Sequence, residues 1–457
     1  MKTQLSILAL ALLGFSVSAQ TVTVEFNDTT ESNHARVIVS SRPGQVMYDS
    51  PFYKMKPDSK GVAKLDSVKI EGMTFAPAWL TIGQDEYPFI FDTENPITIS
   101  VRHSKNGKPE VKFKGKNAKE SDYFREYQRL MDFFVYYSTD VLNDTIPYER
   151  KEAMLEKNVA DLAKKIKKVP DGKIKDFLRQ LSDDAYLNYQ IRFCSSKDKA
   201  KRDELYSKID VNSSISLYNY LPMWAFERTL SKPDYKVDTT PWGLEYLKAI
   251  REKITDKYVR DYLLEQCALK TLNWGTVPDP DAFWIPFTEF AGTDNRAYKM
   301  FNDKVQSMKS TKSGMKALDF SFQDADGKSH RLSDLFGKVL YIDIWASWCG
   351  PCRKEIPHID RHFKEYYKGN DKVRFVSISV DDTPSPWLAI INKDKPEWEQ
   401  YLAAGKDNEE MSKAYGINAI PRFMIINADG SINNADAFRP SDPDFRAKLD
   451  EIISSQK

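Results

Sequence analysis

Two cysteines lie one helical turn apart in the stretch Trp348-Cys349-Gly350-Pro351-Cys352, shortly after the apolar run 339–345. The run is typical of a buried parallel strand, and the residues from Pro351 onward have the pattern of an amphipathic helix. Cys349 therefore falls at a helix N-terminus, where unpaired backbone N–H groups stabilise a thiolate and lower the thiol pKa. The pattern predicts a redox-active dithiol in which Cys349 attacks and Cys352 resolves the mixed disulfide.

Strand and helix patterns alternate around this stretch, in residues 313–457. Strand-like runs at 373–380 and 422–426 are interspersed with helical patterns, and the chain closes on a helical pattern at 444–454. This order predicts a central sheet covered by helices, so we assign residues 313–457 to an α/β domain.

Two regions with different patterns precede that domain. Residues 20–115 contain short runs in which apolar and polar residues alternate, such as 21–26 and 97–101, separated by turn residues. This alternation predicts an antiparallel, all-β domain. Residues 116–312 instead place apolar residues every three or four positions, which predicts an all-α region. The expected fold class is therefore multidomain, with an α/β domain after a β-domain and a helical region.

The composition indicates a globular chain without an excess of charge. Of 457 residues, 41% are hydrophobic, and 67 basic side chains face 66 acidic ones. A net charge near zero gives no excess of positive charge that would attract nucleic acid or an anionic membrane surface, so we expect neither as a partner. The oligomeric state stays open.

The first 19 residues have the pattern of a signal peptide. Lys2 supplies a charged start, residues 5–17 form a mostly apolar run, and Val17-Ser18-Ala19 is a small-residue cleavage signature. The apolar run is shorter than the roughly 20 residues of a membrane span. We expect cleavage after Ala19 and a periplasmic location.

Two further cysteines, Cys194 and Cys267, lie in helix-like apolar patterns. Four cysteines in a chain of this length are too few for a disulfide-stapled scaffold. Because a buried thiol packs as a small hydrophobe, we interpret both as structural thiols. A disulfide between them is the alternative.

The residues around the active cysteines resemble a known family. The stretch 341–353 resembles the active-site strand and helix of thioredoxins, and 415–421 resembles their cis-proline segment. The sequence Glu355-Ile356-Pro357 and the long segment 382–415 are more similar to the exported TlpA-like thiol-disulfide oxidoreductases. The resemblance covers residues 313–457. More weakly, the two preceding regions resemble those found ahead of such domains in exported bacterial proteins.

The resemblance implies catalytic roles for four residues. Cys349 is the attacking thiolate and Cys352 the resolving thiol of a redox-active disulfide. Asp343, six positions before Cys349, is the buried carboxylate that helps to move the proton of Cys352. Glu355 is a carboxylate that adjusts the thiol pKa values.

The resemblance also implies a substrate-binding surface. Pro421 would follow a cis peptide bond beside the disulfide, and Ile420 would offer its backbone to an extended substrate chain. The complete set implied for this surface is Trp348, Gly350, Pro351, Ile420 and Pro421.

These assignments have structural alternatives. A zinc site would need a second cysteine or histidine pair near the first, which is missing, so we expect no metal and no cofactor. Asp343 could be an incidental strand-end carboxylate, and Glu355 could face solvent. His358 and His362 lie four apart and are interpreted as an ordinary helix face. Ser377 stands where thioredoxins often carry a lysine paired with the buried aspartate, a departure that bears on the proton route.

The predicted function is that of an exported thiol-disulfide oxidoreductase, acting mainly as a reductase of protein or small-molecule disulfides. Because a periplasm has no soluble nicotinamide supply, the electrons would come from a membrane thiol donor. One alternative is a ligand- or partner-binding protein with an accessory redox domain, since residues 20–312 carry no assigned chemistry. A peroxiredoxin-type peroxidase is less favoured, because Ile342 and Ala346 replace the proline and the threonine or serine of that family.

Overall fold

The computed structural model describes residues 22–27, 34–45, 47, 50–66, 68–103, 109–131, 148–194, 198–235, 237–274 and 277–456. The predicted signal peptide lies outside these residues. Within them, no helix combines the length and the apolar character that a membrane crossing requires. The chain divides into two compact units, unit 1 (residues 1–231 and 251–263) and unit 2 (residues 232–250 and 264–457), each of which is described by itself.

The strands are β1 (Val22–Phe26), β2 (Ala35–Val39), β3 (Phe52–Lys54), β4 (Val62–Leu65), β5 (Phe75–Ile82), β6 (Asp85–Asp92), β7 (Ile97–His103), β8 (Pro109–Gly115), β9 (Ser321–Gln323), β10 (Ser329–Arg331), β11 (Val339–Trp345), β12 (Val373–Ser379), β13 (Glu399–Leu402), β14 (Arg422–Ile426) and β15 (Ile432–Asn434).

The helices are α1 (Ala118–Leu130), α2 (Tyr148–Lys165), α3 (Lys173–Phe193), α4 (Lys199–Ser207), α5 (Leu221–Glu227), α6 (Thr240–Lys253), α7 (Lys257–Leu269), α8 (Pro280–Ala291), α9 (Arg296–Ser310), α10 (Gly350–His362), α11 (Pro384–Asp394), α12 (Lys406–Tyr415) and α13 (Phe445–Ser455). Shorter 3₁₀ or π turns lie at Ile166–Lys168, Ser216–Asn219, Lys270–Trp274, Leu332–Leu335 and Phe363–Tyr367.

Unit 1 contains two four-stranded sheets, with strand orders β4-β1-β7-β8 and β3-β2-β5-β6. Alternate residues of β1 are buried, as the period-two pattern predicts. The expectation of a purely antiparallel domain is wrong in one place, because β1 and β7 pair in parallel, with Val22 opposite Ile97. The many residues between these two strands provide the long connection that a parallel pair needs.

The helices of unit 1 pack on a second apolar layer. Trp79 and Ile90, from β5 and β6, join α1 and α3 in one buried cluster, and the ring of Trp79 meets that of Phe124 edge-on at 6.0 Å. Cys194, directly after α3, is a buried thiol outside any disulfide.

Unit 2 contains a seven-stranded mixed sheet with the order β10-β9-β13-β12-β11-β14-β15. The central strand β11 is parallel to β12 and antiparallel to β14, and all seven of its residues are buried. Helical residues 264–310 also belong to this unit. Among them Cys267 is a buried thiol outside any disulfide, which agrees with a structural role.

Side chains of β11 alternate between two cores, as the period of a strand requires. Val339 and Tyr341 face a cluster that includes Ile359 of α10 and Leu449 of α13. Leu340 and its alternate neighbours face a cluster that includes Met411 of α12. Helices thus cover both faces of the sheet, and α10 begins just beyond the end of β11.

The predicted fold class is confirmed, with a β-rich region, a helical region and a carboxy-terminal α/β domain. The boundaries at residues 115 and 312 stay predictions.

Candidate active site

A disulfide joins Cys349 and Cys352 at the start of α10, with a distance of 5.3 Å between the two Cα atoms. Cys349 is the N-cap of the helix, and the backbone N–H of Cys352 donates to the Sγ of Cys349 at 3.2 Å. Pro351 lies in the first helical turn, where its missing N–H costs nothing. In the reduced protein the same N–H and the helix dipole would stabilise a Cys349 thiolate.

The two cysteines are buried, but a neighbouring side chain is exposed. Cys349 is 4% exposed and Cys352 is 1% exposed, whereas the neighbouring Trp348 is 70% exposed. An exposed indole beside a barely accessible sulfur offers an apolar surface to a docking chain. Trp345, in contrast, is buried under the disulfide in a cluster with Trp387.

The cis-proline segment lies directly beside the disulfide. The Ile420–Pro421 peptide bond is cis, and the Sγ of Cys349 lies 3.9 Å from the carbonyl oxygen of Ile420. The sheet enforces this proximity, because β14 begins at Arg422 and pairs with β11 opposite Ile344. The predicted substrate-docking residues Ile420 and Pro421 are therefore brought to the same edge of the sheet as the cysteines.

Asp343 is a buried carboxyl on β11. It is 3% exposed, and burial, the largest cause, raises its pKa from 3.8 to about 7. A hydrogen bond donated by the hydroxyl of Ser377 at 3.1 Å opposes this rise, and the charge of Glu355 adds to it. A group with such a pKa can hold or release a proton near neutral pH.

Ser377 links Asp343 to a further residue that the sequence analysis missed. The indole Nε1 of Trp398 donates to the Oγ of Ser377 at 2.9 Å. Trp345, Ser377 and Trp398 all border a cavity of about 260 Å³. The serine that replaces the expected lysine therefore stands between the buried carboxyl and this cavity.

Glu355 is buried, so the alternative in which it faces solvent is wrong for this structure. It is 6% exposed and accepts two hydrogen bonds from Ser441, from the backbone N–H at 3.0 Å and from the hydroxyl at 2.9 Å. The guanidinium of Arg439 lies 3.8 Å from its Oε1. These partners compensate for the burial of its charge.

A second buried carboxylate, Asp381, holds the loop that leads into the cysteines. It accepts hydrogen bonds from the backbone N–H of Ser347 at 2.9 Å and from the hydroxyl of Ser347 at 2.6 Å. The hydroxyl of Ser379 also donates to it, at 2.7 Å. Sequence reasoning missed this residue, although its position just after the strand-like run 373–380 was a usable signal.

The histidines of α10 have structural partners. The Nε2 of His362 lies 3.0 Å from the carbonyl oxygen of Pro440, and its ring stacks on Phe445 with a centroid distance of 4.3 Å. Burial lowers the pKa of His362. In the part of the chain that the structure describes, no group of three or more metal-ligating side chains is assembled.

Comparison with known proteins gives matches in this part of the chain. Residues 312–449 match the Redoxin family model. The thiol-disulfide oxidoreductase ResA of Bacillus subtilis is 27% identical over 135 residues, which is 30% of this chain and 73% of that protein. ResA of Bacillus thuringiensis is 29% identical over 119 residues, which is 26% of this chain and 66% of that protein.

A solved structure gives a similar match. A candidate thiol-disulfide oxidoreductase from Bacteroides vulgatus is 36% identical, with 31% of this chain and 98% of that chain covered and a TM-score of 0.29. The match to the family model includes the disulfide and most of the elements that hold it. The carboxy-terminal domain of this chain therefore belongs to the thioredoxin-like thiol-disulfide oxidoreductases, and it is related to ResA.

Proposed function

We propose that this protein is an exported reductase that uses the Cys349/Cys352 dithiol to reduce disulfide-bearing proteins or small molecules. The observation that carries the proposal is the position of the Cys349 sulfur, at a helix N-terminus and 3.9 Å from the Ile420 carbonyl. The Gly-Pro pair between the cysteines resembles that of reducing thioredoxins, which supports the direction.

The proposed reaction transfers two electrons from the dithiol to the substrate. The Cys349 thiolate attacks one substrate sulfur, so a mixed disulfide forms and the other substrate sulfur leaves as a thiolate. Cys352 then gives up its proton and attacks the Cys349 sulfur. This second step releases the remaining substrate thiolate and forms the Cys349–Cys352 disulfide, so the substrate is reduced and the protein oxidised.

Asp343 supports the second step as a proton acceptor. Its pKa of about 7 is far closer to that of a thiol than the pKa of an exposed carboxyl would be. The bond from Ser377, which borders the cavity of about 260 Å³, offers a path by which the proton can reach solvent. Glu355 is proposed to tune this step through its charge.

Substrate docking is proposed to use the surface beside the disulfide. An extended chain would run along Trp348, Gly350 and Pro351 and would pair with the backbone of Ile420, which precedes Pro421. The exposed ring of Trp348 supplies apolar contact.

The reaction can be tested by insulin reduction with dithiothreitol as the electron source. We expect the wild type to accelerate the precipitation of insulin chains and Cys349→Ser to abolish the acceleration. Cys352→Ser should accumulate mixed disulfides through Cys349, and mass spectrometry of those adducts identifies substrates. The Cys349→Ser/Cys352→Ser double variant is the matched control. Equal turnover by wild type and Cys349→Ser would remove the reductase proposal.

Export is proposed from the charged start, the apolar run 5–17 and the cleavage signature that ends at Ala19. A membrane thiol donor is proposed as the source of electrons, since the oxidised protein must be reduced again outside the cytosol. Fractionation of a bacterium that expresses the full chain should recover it in the periplasm, with an N-terminus at Gln20. Recovery from the cytosol of a chain that still begins at Met1 would contradict export.

A further inference from the structure

A second cavity in unit 2 has a volume of about 370 Å³. Its walls come from α9, from the residues that lead into α8, and from β14 and β15 with the turn that follows. Cys349, Cys352 and Pro421 do not line it. The volume lies in the range of small-molecule sites.

Two cationic side chains line this cavity, one from α9 and one from β14. Lys304 of α9 is partly buried, and its Nζ has no hydrogen bond or ion pair to any residue that the structure describes. Arg422 of β14 is 14% exposed; its Nη1 forms an ion pair with Oδ2 of Asp436 at 3.0 Å and donates a hydrogen bond to the carbonyl of Ala435 at 3.4 Å. Within the described residues, Nε and Nη2 of this guanidinium have no protein acceptor.

The positive charge around the cavity is compensated only in part. Asp436 neutralises one of the two cations and is itself 75% exposed. Lys312 also lines the cavity, but it is paired with Oδ1 of Asp279 at 2.7 Å. One positive charge therefore remains at a site that is partly withdrawn from water, where an unpaired charge is costly.

Apolar side chains also line the cavity. They are Leu272, Val277, Pro278, Pro280 and Met308. A ligand that matched both the cationic and the apolar side chains would combine one negative charge with an apolar body.

We propose that this cavity binds a small organic monocarboxylate, with the carboxylate between Lys304 and Arg422 and the apolar body against the wall of Pro278, Pro280 and Met308. Two carboxylate oxygens match the unused donors of a guanidinium and an ammonium. A phosphate dianion fits less well, because Asp436 leaves only one positive charge to balance. Neither cysteine of the dithiol lines the site, and the proposal does not rest on the redox function.

The pH dependence of binding follows from Lys304. Burial, and next the charge of Arg422, lower the pKa of Lys304 to about 8, while Asp436 opposes the change. Tyr415, which also borders the cavity, donates its hydroxyl to the carbonyl of Leu318. Since Lys304 loses its charge above its pKa, affinity for a carboxylate should fall about tenfold from about pH 7 to about pH 9.

Calorimetric titration of the full chain with hexanoate tests the site. We expect saturable binding of hexanoate and little binding of its neutral amide, hexanamide, or of inorganic phosphate. Lys304→Met should weaken hexanoate binding about tenfold or more, because it removes a charged hydrogen-bond donor. Lys304→Arg should restore binding. Asp436→Asn should strengthen binding, since it adds to the excess of positive charge.

The matched control is Lys299→Met, which removes an exposed lysine from the same helix. Its affinity for hexanoate should equal that of the wild type, and far-ultraviolet circular dichroism should show that each variant is folded. The proposal is overturned if hexanoate gives no saturable heat, if hexanamide binds as tightly, or if the Lys299 and Lys304 variants lose affinity equally. Tighter binding of phosphate than of hexanoate would also overturn it.

Discussion

Replacing Asp343 by asparagine should remove a pH-dependent loss of stability from the sheet of unit 2. The pKa of Asp343 is raised in the folded protein from 3.8 to about 7, mainly by burial. Between these two values the folded state keeps the proton and the unfolded state releases it, so stability falls as the pH rises through this window. At a pH above both values the full penalty is present. It amounts to roughly 4 kcal/mol, as an upper value.

Asparagine cannot ionise, so the Asp343→Asn variant should escape this penalty. At about pH 3, below both pKa values, the difference between variant and wild type reflects mainly the altered hydrogen bond to Ser377. Towards about pH 8 the difference should move in favour of the variant by up to roughly 4 kcal/mol.

The measurement is native-state hydrogen exchange of the β11 amides, followed by mass spectrometry in increasing urea, on the oxidised full chain. This readout reports the opening of one sheet and does not require the whole chain to unfold in a single step. The matched control is Asp371→Asn, which removes an exposed carboxylate near the start of β12. A difference between Asp343→Asn and wild type that is the same at both pH values would refute the reasoning, as would an equal pH effect in the control.

Three further predictions concern the same domain. Glu355→Gln removes a negative charge that contributes to the raised pKa of Asp343, so the pH window of the exchange experiment should move to lower pH; a move upward contradicts the assignment. Ser377→Ala removes the hydrogen bond that lowers this pKa, so the window should move to higher pH, and an unchanged window would show that the bond contributes nothing. Gly430→Ala would place a Cβ 2.6 Å from an aromatic carbon at a φ of +82°, and it should cost about 2 kcal/mol or more in urea unfolding. Gly369→Ala, with a φ of +81° and open space around it, should cost less; equal losses would show that the close contact is relieved.

Local patterns in the sequence were enough to predict the position of the two cysteines at the start of a helix. The spacing of Cys349 and Cys352, the apolar run before them and the helical pattern after them are all contained in about fifteen consecutive residues. The resemblance then implied the partner segment around Pro421, which the structure places beside the sulfur of Cys349. Strand pairing between β11 and β14 produces this contact, because it brings the segment before Arg422 next to the end of β11.

The surroundings of the carboxylates could not be predicted in the same way. A helical pattern shows that Glu355 lies on α10, but its burial depends on Ser441, which is 86 positions away in the chain. The partners of Ser377 and Asp381 likewise come from separate elements of the domain. Burial and hydrogen bonding set the charge state of such groups, and both arise only when distant segments pack.

The sequence by itself determined that Cys349 and Cys352 lie at a helix N-terminus within an α/β domain, because spacing and periodicity are local properties. Only the tertiary structure decided that Asp343 titrates near neutral pH, that Glu355 is buried against a remote loop, and that Lys304 and Arg422 share one cavity. The physical reason is that the free energy of a charge depends on the solvent and the partners around it, and long-range packing supplies both.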